Sequence, residues 1–206
     1  MTVVSLKAEK SCSDGVLKVE FADSSTVVIS ADYVPDGYTK SAVWQCGGEL
    51  SQADEEIFRF AASCYRAEKT ALGLISRAEQ NSLGLTAKLE RRGYERAVVV
   101  AVISHLVNKN LLDDRRYAEF WLRSRLAYGN TNSPRWMRVS LGKRGIDRSS
   151  SIKALQEVLD PETEYALLLK FIEKNKATEL KRAVPLRVRL KYEGFSSVVL
   201  DRYFDS

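Results

Sequence analysis

Three copies of one apolar pattern constrain the fold of this chain more than any other feature. In each copy, three residues separate an apolar residue from a leucine, and three more separate that leucine from a glycine. The copies are Leu85-x3-Leu89-x3-Gly93-Tyr94, Met137-x3-Leu141-x3-Gly145-Ile146 and Leu186-x3-Leu190-x3-Gly194-Phe195. The pattern recurs roughly every 50 residues, which is the range in which a supersecondary unit repeats.

Each copy predicts a short helix with a defined end. Two apolar residues one turn apart mark its inward face. Glycine supplies the left-handed residue that ends the helix, and the next large apolar residue folds back onto the last turn. Helical spacing also flanks each copy, upstream at 71–75, 117–121 and 165–169 and downstream at 98–106, 152–159 and 198–204. Asp147 is well placed to cap the second downstream helix, and either Ser196 or Ser197 the third. The chain therefore predicts three tandem three-helix bundles with helices of roughly 10 to 15 residues, which support one another because each buries little surface alone.

Residues 1–52 have a different pattern. Short β-branched and aromatic runs at 3–6, 16–21 and 26–29 alternate with turn residues at 13–15 and 23–25, which predicts a small antiparallel meander. Residues 32–52 are expected to form its exit and linker. The predicted fold class is mainly α, with three tandem three-helix-bundle repeats preceded by a small antiparallel β region. The expected domains are 1–52 (β region and linker), 53–112 (leading helix and first repeat), 113–160 (second repeat) and 161–206 (third repeat).

Composition and charge exclude several classes of protein. The chain has 32 Lys and Arg residues against 27 Asp and Glu residues, and this net charge of +5 permits an anionic partner without requiring one. No apolar run approaches the ~20 residues of a membrane span, and the N-terminus lacks the features of a leader peptide. Cys12, Cys46 and Cys64 are odd in number and far apart, which argues against a disulfide framework or a zinc pair. We expect a monomeric cytoplasmic protein without a membrane partner.

The residues also argue against an enzyme. The single histidine, His105, lies in an apolar helical segment and needs no role beyond that helix. The sequence contains neither a G-x-x-x-x-G-K-[ST] phosphate loop nor a G-x-S-x-G nucleophile elbow. Asp113 and Asp114 fit a helix cap better than a metal site. We therefore expect no catalytic residue, no metal and no cofactor.

A basic and aromatic helix is expected to follow Asp113 or Asp114, either of which can cap it. At about 100° per residue, the helix divides into two arcs. One arc carries the aromatic residues: Tyr117, Phe120 and Trp121, with Ser124. The opposite arc carries charged residues: Arg115, Arg116, Glu119 and Arg123. The aromatics are expected in the core, since a base-stacking platform would need them exposed, while the arginines suit either a solvated face or an interaction surface.

Residues 110–125, NLLDDRRYAEFWLRSR, are similar to the start of the second repeat in the RecX family of recombinase regulators. That pattern has two leucines, two aspartates, Arg-Tyr-Ala and an Arg-Ser-Arg ending. Three other stretches resemble the family in the same order: 71–106 with its Leu-x3-Leu-x3-Gly-Tyr core, 133–147 ending in GID, and 186–204 with Gly-Phe-Ser. The resemblance covers about residues 68–206. Asn110 departs from the family pattern, in which glycine is common at that position.

The resemblance implies a fold of tandem three-helix repeats and a protein that modulates RecA, the recombinase that polymerises on single-stranded DNA. Family members inhibit the ATPase, strand-exchange and co-protease activities of RecA and bind in the helical groove of its filament. The expected partner is therefore the RecA filament, and direct contact with single-stranded DNA is left open.

Two sets of residues carry these expectations. The candidate RecA- or DNA-facing residues are Arg91, Arg92, Arg115, Arg116, Arg123, Arg135, Arg138, Lys143 and Arg144. The expected repeat core is Leu85, Leu89, Gly93, Tyr117, Phe120, Trp121, Met137, Leu141, Gly145, Leu186, Leu190 and Gly194.

The alternative function is a basic DNA-binding module that acts without RecA, because three-helix units with basic helices can dock on phosphates. Further basic residues for this function are Lys181, Arg182, Arg187 and Arg189. Steep salt dependence on naked DNA would favour this alternative. Tight binding only in the presence of the filament would favour the regulator.

Overall fold

A computed structural model of the chain describes residues 2–7, 15–21, 25–35, 49–179 and 184–205. In this described part a small antiparallel sheet precedes nine α-helices, which confirms the predicted fold class. The chain divides into two compact units, the first comprising Met1–Ala78 and Leu85–Leu112 and the second Glu79–Gly84 and Asp113–Ser206. Among the described residues, no helix is both long and apolar enough to cross a bilayer.

The sheet contains four strands in the order β3-β2-β1-β4. They are β1 (Thr2–Lys7), β2 (Val16–Phe21), β3 (Thr26–Ser30) and β4 (Glu49–Leu50). The first three form the predicted meander, whereas β4 was not predicted and pairs with β1 through Thr2 and Leu50. A strand of two residues is too short to produce an alternating pattern. Residues 13–14 and 23–24 of the predicted turns, and both Cys12 and Cys46, lie outside the described residues.

The first helix is longer than the sequence predicts because its N-terminal half covers the sheet. Helix α1 (Gln52–Ile75) has 24 residues. Val19 and Ile29 of the sheet pack with Phe58 and Ala61 of α1 in one buried cluster. Ser51 begins the helix with a reciprocal capping box, in which it accepts a hydrogen bond from the Asp54 amide while the Asp54 carboxylate accepts from the Ser51 amide.

The remaining helices complete three repeats of three. The first repeat adds α2 (Ser82–Glu90) and α3 (Arg96–Asn108) to α1. The second repeat contains α4 (Asp114–Ala127), α5 (Pro134–Gly142) and α6 (Arg148–Val158). The third contains α7 (Pro161–Glu179), α8 (Leu186–Tyr192) and α9 (Ser197–Phe204). Lengths range from the 7 residues of α8 to the 24 of α1, a wider spread than predicted.

The middle helices α2, α5 and α8 end in the same backbone motif. Gly93, Gly145 and Gly194 have φ angles of 84°, 83° and 91°. The amide after each glycine donates to the carbonyl five residues earlier, as in the 3.2 Å bond from Ile146 to Leu141. Asn110 has a φ of 56° and ends α3 in the same way. This left-handed conformation explains why glycine suits position 110, and asparagine is the residue that tolerates it next best.

Two separate cores hold the repeats together. Leu85 and Leu89 are fully buried in the core of the first repeat, with Val99 and Leu106 of α3. Met137, Leu141 and Leu190 are buried in a second core that the second and third repeats share, and Leu186 is partly buried against it. The middle helix of every repeat thus supplies its inward face to a core.

Candidate interaction surfaces of the second and third repeats

The start of α4 uses both aspartates, for different purposes. Asp113 is the N-cap, and its carboxylate accepts from the amides of Arg115 at 2.8 Å and Arg116 at 3.0 Å. Asp114 instead accepts from the amide of Ser82 at 2.7 Å. The sequence left the choice of cap open, and the geometry assigns it to Asp113.

The buried arc of α4 differs from the arc predicted from the aromatics. Ala118, Trp121 and Leu122 are buried, and Tyr117 is half-buried against the same core. Phe120 is 61% exposed, so its assignment to the core was wrong. Trp121 belongs to two possible arcs, and packing of α4 against α6 selects the one through Ala118 and Leu122. At about 100° per residue, Phe120 lies nearly opposite that arc.

Two of the three candidate arginines of α4 form ion pairs. Arg115 pairs with Glu119 at 2.9 Å, and Arg116 pairs with Glu79 at 2.7 Å. Exposed pairs of this kind contribute only ~0–1 kcal/mol to stability. Arg123 is exposed and has no ion-pair partner in the described part of the chain. Of these arginines, Arg123 is therefore the one whose charge is available to another molecule.

Cationic and aromatic side chains meet where α4 and α5 approach each other. The rings of Trp121 and Trp136 stack with centroids 6.3 Å apart and planes inclined by 25°. The guanidinium of Arg144 lies 4.6 Å from the Trp121 ring and that of Arg125 lies 5.2 Å from it, distances at which cation–π attraction is significant. Trp121 is buried, but Trp136 is 42% exposed. We call Trp121, Arg125, Trp136 and Arg144 the Trp–Arg cluster.

Sequence reasoning missed half of the Trp–Arg cluster. Arg125 was not among the candidate residues, although its position four after Trp121 places both side chains on one helix face. Trp136 lay within the stretch similar to the family but was given no role. Arg144 was a candidate, and it also donates to the carbonyl of Ser140 at 2.8 Å. These contacts keep its guanidinium against the indole.

Arg135 and Arg138 belong to a different surface. They line a cavity of about 380 Å³ between the second and third repeats. The guanidinium of Arg135 lies 4.0 Å from the Tyr192 ring of α8. Arg138 is exposed and has no ion-pair partner among the described residues. Of the predicted basic residues of the second repeat, Arg135 and Arg138 thus line this cavity, whereas Arg144 belongs to the Trp–Arg cluster.

The candidate basic residues of the first and third repeats do not gather into a comparable surface in the described part of the chain. Arg91 and Arg92 are exposed after α2, where their guanidiniums donate to the carbonyls of Ala87 and Lys88 at 3.1 Å and 2.9 Å. Arg187 pairs with Asp201. Arg189 is half-buried in α8, and Lys181 and Arg182 lie outside the described residues.

His105 lies in a polar cluster of the first unit. Its Nε2 atom is 3.4 Å from the Asp32 carboxylate and 3.6 Å from that of Glu68. Burial and the nearby charge of Glu68 raise the pKa of the Tyr33 phenol above its ordinary value. The same two causes raise the pKa of the Cys64 thiol to about 11. A thiol with that pKa stays protonated and unreactive at neutral pH. Among the described residues, no group of three His, Cys, Asp or Glu side chains could hold a metal ion.

The chain is similar to regulatory proteins of bacteria. No protein-family model matches it. It is 35% identical over 115 residues to the regulatory protein RecX of Treponema pallidum (strain Nichols), a match that covers 56% of this chain and 70% of the relative. It is 32% identical over 142 residues to the regulatory protein RecX of Pseudomonas entomophila (strain L48), covering 65% of this chain and 86% of the relative. The chain belongs to the RecX family.

Solved structures of RecX proteins have the same fold. The crystal structure of a regulatory protein RecX superposes with a TM-score of 0.67 over 100% of both chains at 21% identity. That of RecX from Lactobacillus salivarius gives a TM-score of 0.52, covering 69% of this chain and 95% of the other at 21% identity. At this identity the two structures show the RecX fold alone, and membership of the family rests on the sequence matches.

Proposed function

We propose that this RecX-family chain regulates the RecA recombinase. In this proposal it binds the RecA filament on single-stranded DNA and limits its ATPase, strand-exchange and co-protease activities. The observation that carries the proposal is the similarity to proteins named regulatory protein RecX, which extends over 70% to 86% of their length. The repeated fold supports it, because each additional repeat that contacts a protomer raises avidity without new chemistry.

The second repeat supplies the best candidate contacts. Arg123 and Lys143 are exposed and have no ion-pair partner in the described part of the chain. Arginine binds carboxylate or phosphate through two parallel hydrogen bonds, so Arg123 suits either an acidic filament surface or DNA. Arg116 and Arg144 are less suitable for testing, because they already contact Glu79 and Trp121.

The test is dose-dependent inhibition of the ATPase of cognate RecA on single-stranded DNA, measured at two salt concentrations. Arg123→Glu and Lys143→Glu should each weaken inhibition while leaving the circular dichroism spectrum unchanged. Arg148→Glu is the matched control, because Arg148 is an exposed cation of the same repeat, on α6, outside both the cavity and the Trp–Arg cluster. A wild-type chain that leaves the ATPase unchanged at both salt concentrations would contradict the regulator.

A second candidate function is single-stranded DNA binding without RecA. The half-exposed Trp136, stacked on Trp121 beside Arg144, favours it, because bases stack on aromatic rings beside cationic side chains. In this case a labelled oligo(dT) should bind the chain alone, with an affinity that falls steeply with salt. Trp136→Ala should then weaken binding by the equivalent of one stacked base, ~1–3 kcal/mol. Binding that requires RecA would contradict this function and favour the regulator.

A further inference from the structure

The cavity between the second and third repeats has the chemistry of a binding site. We call it the repeat cleft. Its volume of about 380 Å³ lies at the small end of the range for ligand pockets, and it accommodates one or two large side chains. The aliphatic part of its lining includes Ile152 and Leu155 of α6, Leu159 just after that helix, and Val198 of α9.

The apolar lining is incompletely covered by the chain itself. Val198 is 65% exposed, while Ile152 and Leu155 are only partly buried. Single exposed apolar residues are normal on a protein surface. Here one exposed and two partly buried apolar residues from two helices converge in one concavity, which is where apolar side chains of a ligand gain most from leaving water.

The available charge of the repeat cleft is positive. Arg135 is held in place over the Tyr192 ring, and Arg138 beside it has no ion-pair partner in the described part of the chain. Glu164 also lines the cleft, but its two carboxylate oxygens accept hydrogen bonds from the Ser196 amide and hydroxyl, both at 2.7 Å. Two guanidiniums therefore face the cleft beside a single carboxylate that is already hydrogen-bonded within the protein.

From this combination we propose that the repeat cleft binds a short acidic segment of a partner protein. An apolar side chain of the segment enters between Ile152 and Val198, and its carboxylates bind Arg135 and Arg138. Arginine forks match carboxylates in geometry and charge. Nucleic acid fits the cleft less well, since no aromatic ring on which a base could stack is among the residues that line it, and the Tyr192 ring beside Arg135 is already covered by that guanidinium. The proposal does not depend on RecA, because neither Arg123 nor Lys143 lines the cleft.

The test uses fluorescence anisotropy of the full chain with a labelled peptide in which aspartates and glutamates flank one leucine and one phenylalanine. Arg138→Glu should weaken binding roughly tenfold or more, because it removes one favourable charge pair and places like charges together. Val198→Asp should weaken it similarly by adding a carboxylate to the apolar wall. Both residues are exposed, so circular dichroism spectra should match the wild type.

The controls separate a specific cleft from general electrostatics. Arg123→Glu makes the same change in charge outside the cleft and should leave the peptide affinity within about twofold, because Arg123 does not line the cleft and salt screens exposed charges that do not contact the ligand. Equal losses in Arg123→Glu and Arg138→Glu would overturn the proposal. A peptide with lysines in place of its acidic residues that binds as tightly would also overturn it. Displacement of the acidic peptide from the wild type by oligo(dT), at a lower concentration than the unlabelled peptide itself requires, would overturn it as well and would assign the cleft to nucleic acid.

Discussion

The glycine turns of the first and second repeats have the same backbone but different surroundings. A side chain added at Gly93 would meet no atom within 4 Å, whereas one added at Gly145 would lie 2.7 Å from the Cβ atom of Leu83. The Gly194 turn of the third repeat also has a close neighbour, the backbone nitrogen of Arg135 at 3.3 Å. The same pattern therefore specifies the same local turn three times, and only two of these turns are also packing surfaces.

Within the second unit, the Gly145 and Gly194 turns also accept hydrogen bonds from another repeat. The Asn81 amide group donates to the carbonyl of Arg144, next to Gly145. The Arg135 amide donates to the carbonyl of Glu193, next to Gly194, at 2.9 Å. In both cases a residue near the start of one middle helix contacts the glycine turn of the following repeat. Asn81 immediately precedes α2, and Arg135 is the second residue of α5. One sequence pattern can therefore specify both the end of a helix and a contact between two repeats.

The largest expected effect tests whether the three middle helices are equivalent in their cores. Leu89→Ala, Leu141→Ala and Leu190→Ala should each lower the free energy of unfolding by about 2–5 kcal/mol, because each removes a fully buried side chain. Urea denaturation followed by circular dichroism measures the change. Leu141→Ala should also speed amide exchange in the third repeat, since both repeats share one core. Near-zero losses at all three positions would mean that the repeat register is wrong.

The next largest effect distinguishes the cost of a side chain in the left-handed turn from the cost of a clash with the neighbouring repeat. Gly93→Ala should cost about 1–2 kcal/mol, the penalty for a side chain in the left-handed region. Gly145→Ala should cost more, because the new methyl group also meets Leu83. A double-mutant cycle with Leu83→Ala should recover part of the extra cost, because alanine removes the Cγ and Cδ2 atoms of Leu83 that the new methyl group meets but keeps the Cβ atom. Leu83 is largely exposed, so its truncation alone should cost little. Equal losses for Gly93→Ala and Gly145→Ala would contradict the packing difference.

Helix caps provide a smaller difference between the first and second repeats. Asp113→Ala should lower the free energy of unfolding by about 1 kcal/mol, because its carboxylate accepts from two amides of α4. Glu95, the N-cap of α3, makes no capping hydrogen bond with its side chain. Glu95→Ala should therefore change stability very little. Thermal denaturation of the two variants side by side measures the difference, and a greater loss for Glu95→Ala would reverse the expected order.

The smallest expected effect is a pH dependence at the N-cap of α6. Hydrogen bonds from the Ser150 side chain and amide hold the pKa of Asp147 below its ordinary value of 3.8. A carboxyl with a depressed folded-state pKa contributes stability above its unfolded pKa, and this contribution is lost as the pH falls through the folded pKa. Asp147→Asn should therefore lose less stability than the wild type between about pH 5 and about pH 2.

The control for this pH dependence is Glu95→Gln at the equivalent cap of the first repeat. Since the Glu95 side chain makes no capping hydrogen bond, its replacement should leave the acid-induced loss of stability as it is in the wild type. Melting temperatures of the three proteins across the acid range measure the comparison. An identical pH profile for Asp147→Asn and the wild type would show that the Ser150 hydrogen bonds do not favour the charged form of Asp147 over its protonated form.

Sequence by itself determined the helix ends of this protein. Gly93, Gly145 and Gly194 take the predicted left-handed conformation, and Asp147 caps α6 as predicted. Of the two serines predicted as caps of α9, Ser196 occupies the N-cap position, yet its hydroxyl donates to Glu164 and makes no capping bond. Helix ends are predictable because the backbone preferences and hydrogen bonds that create them lie within a few residues of one another.

Only the tertiary structure decided which faces are buried and which charges are available. It exposed Phe120 and buried Ala118 in its place, and it directed Arg116 to Glu79 while leaving Arg123 unpaired among the described residues. It also assembled the repeat cleft from helices that are distant in sequence. The physical reason is that periodicity defines the arcs of a helix, while the burial of an arc depends on the free energy gained against a partner surface that the helix does not itself encode.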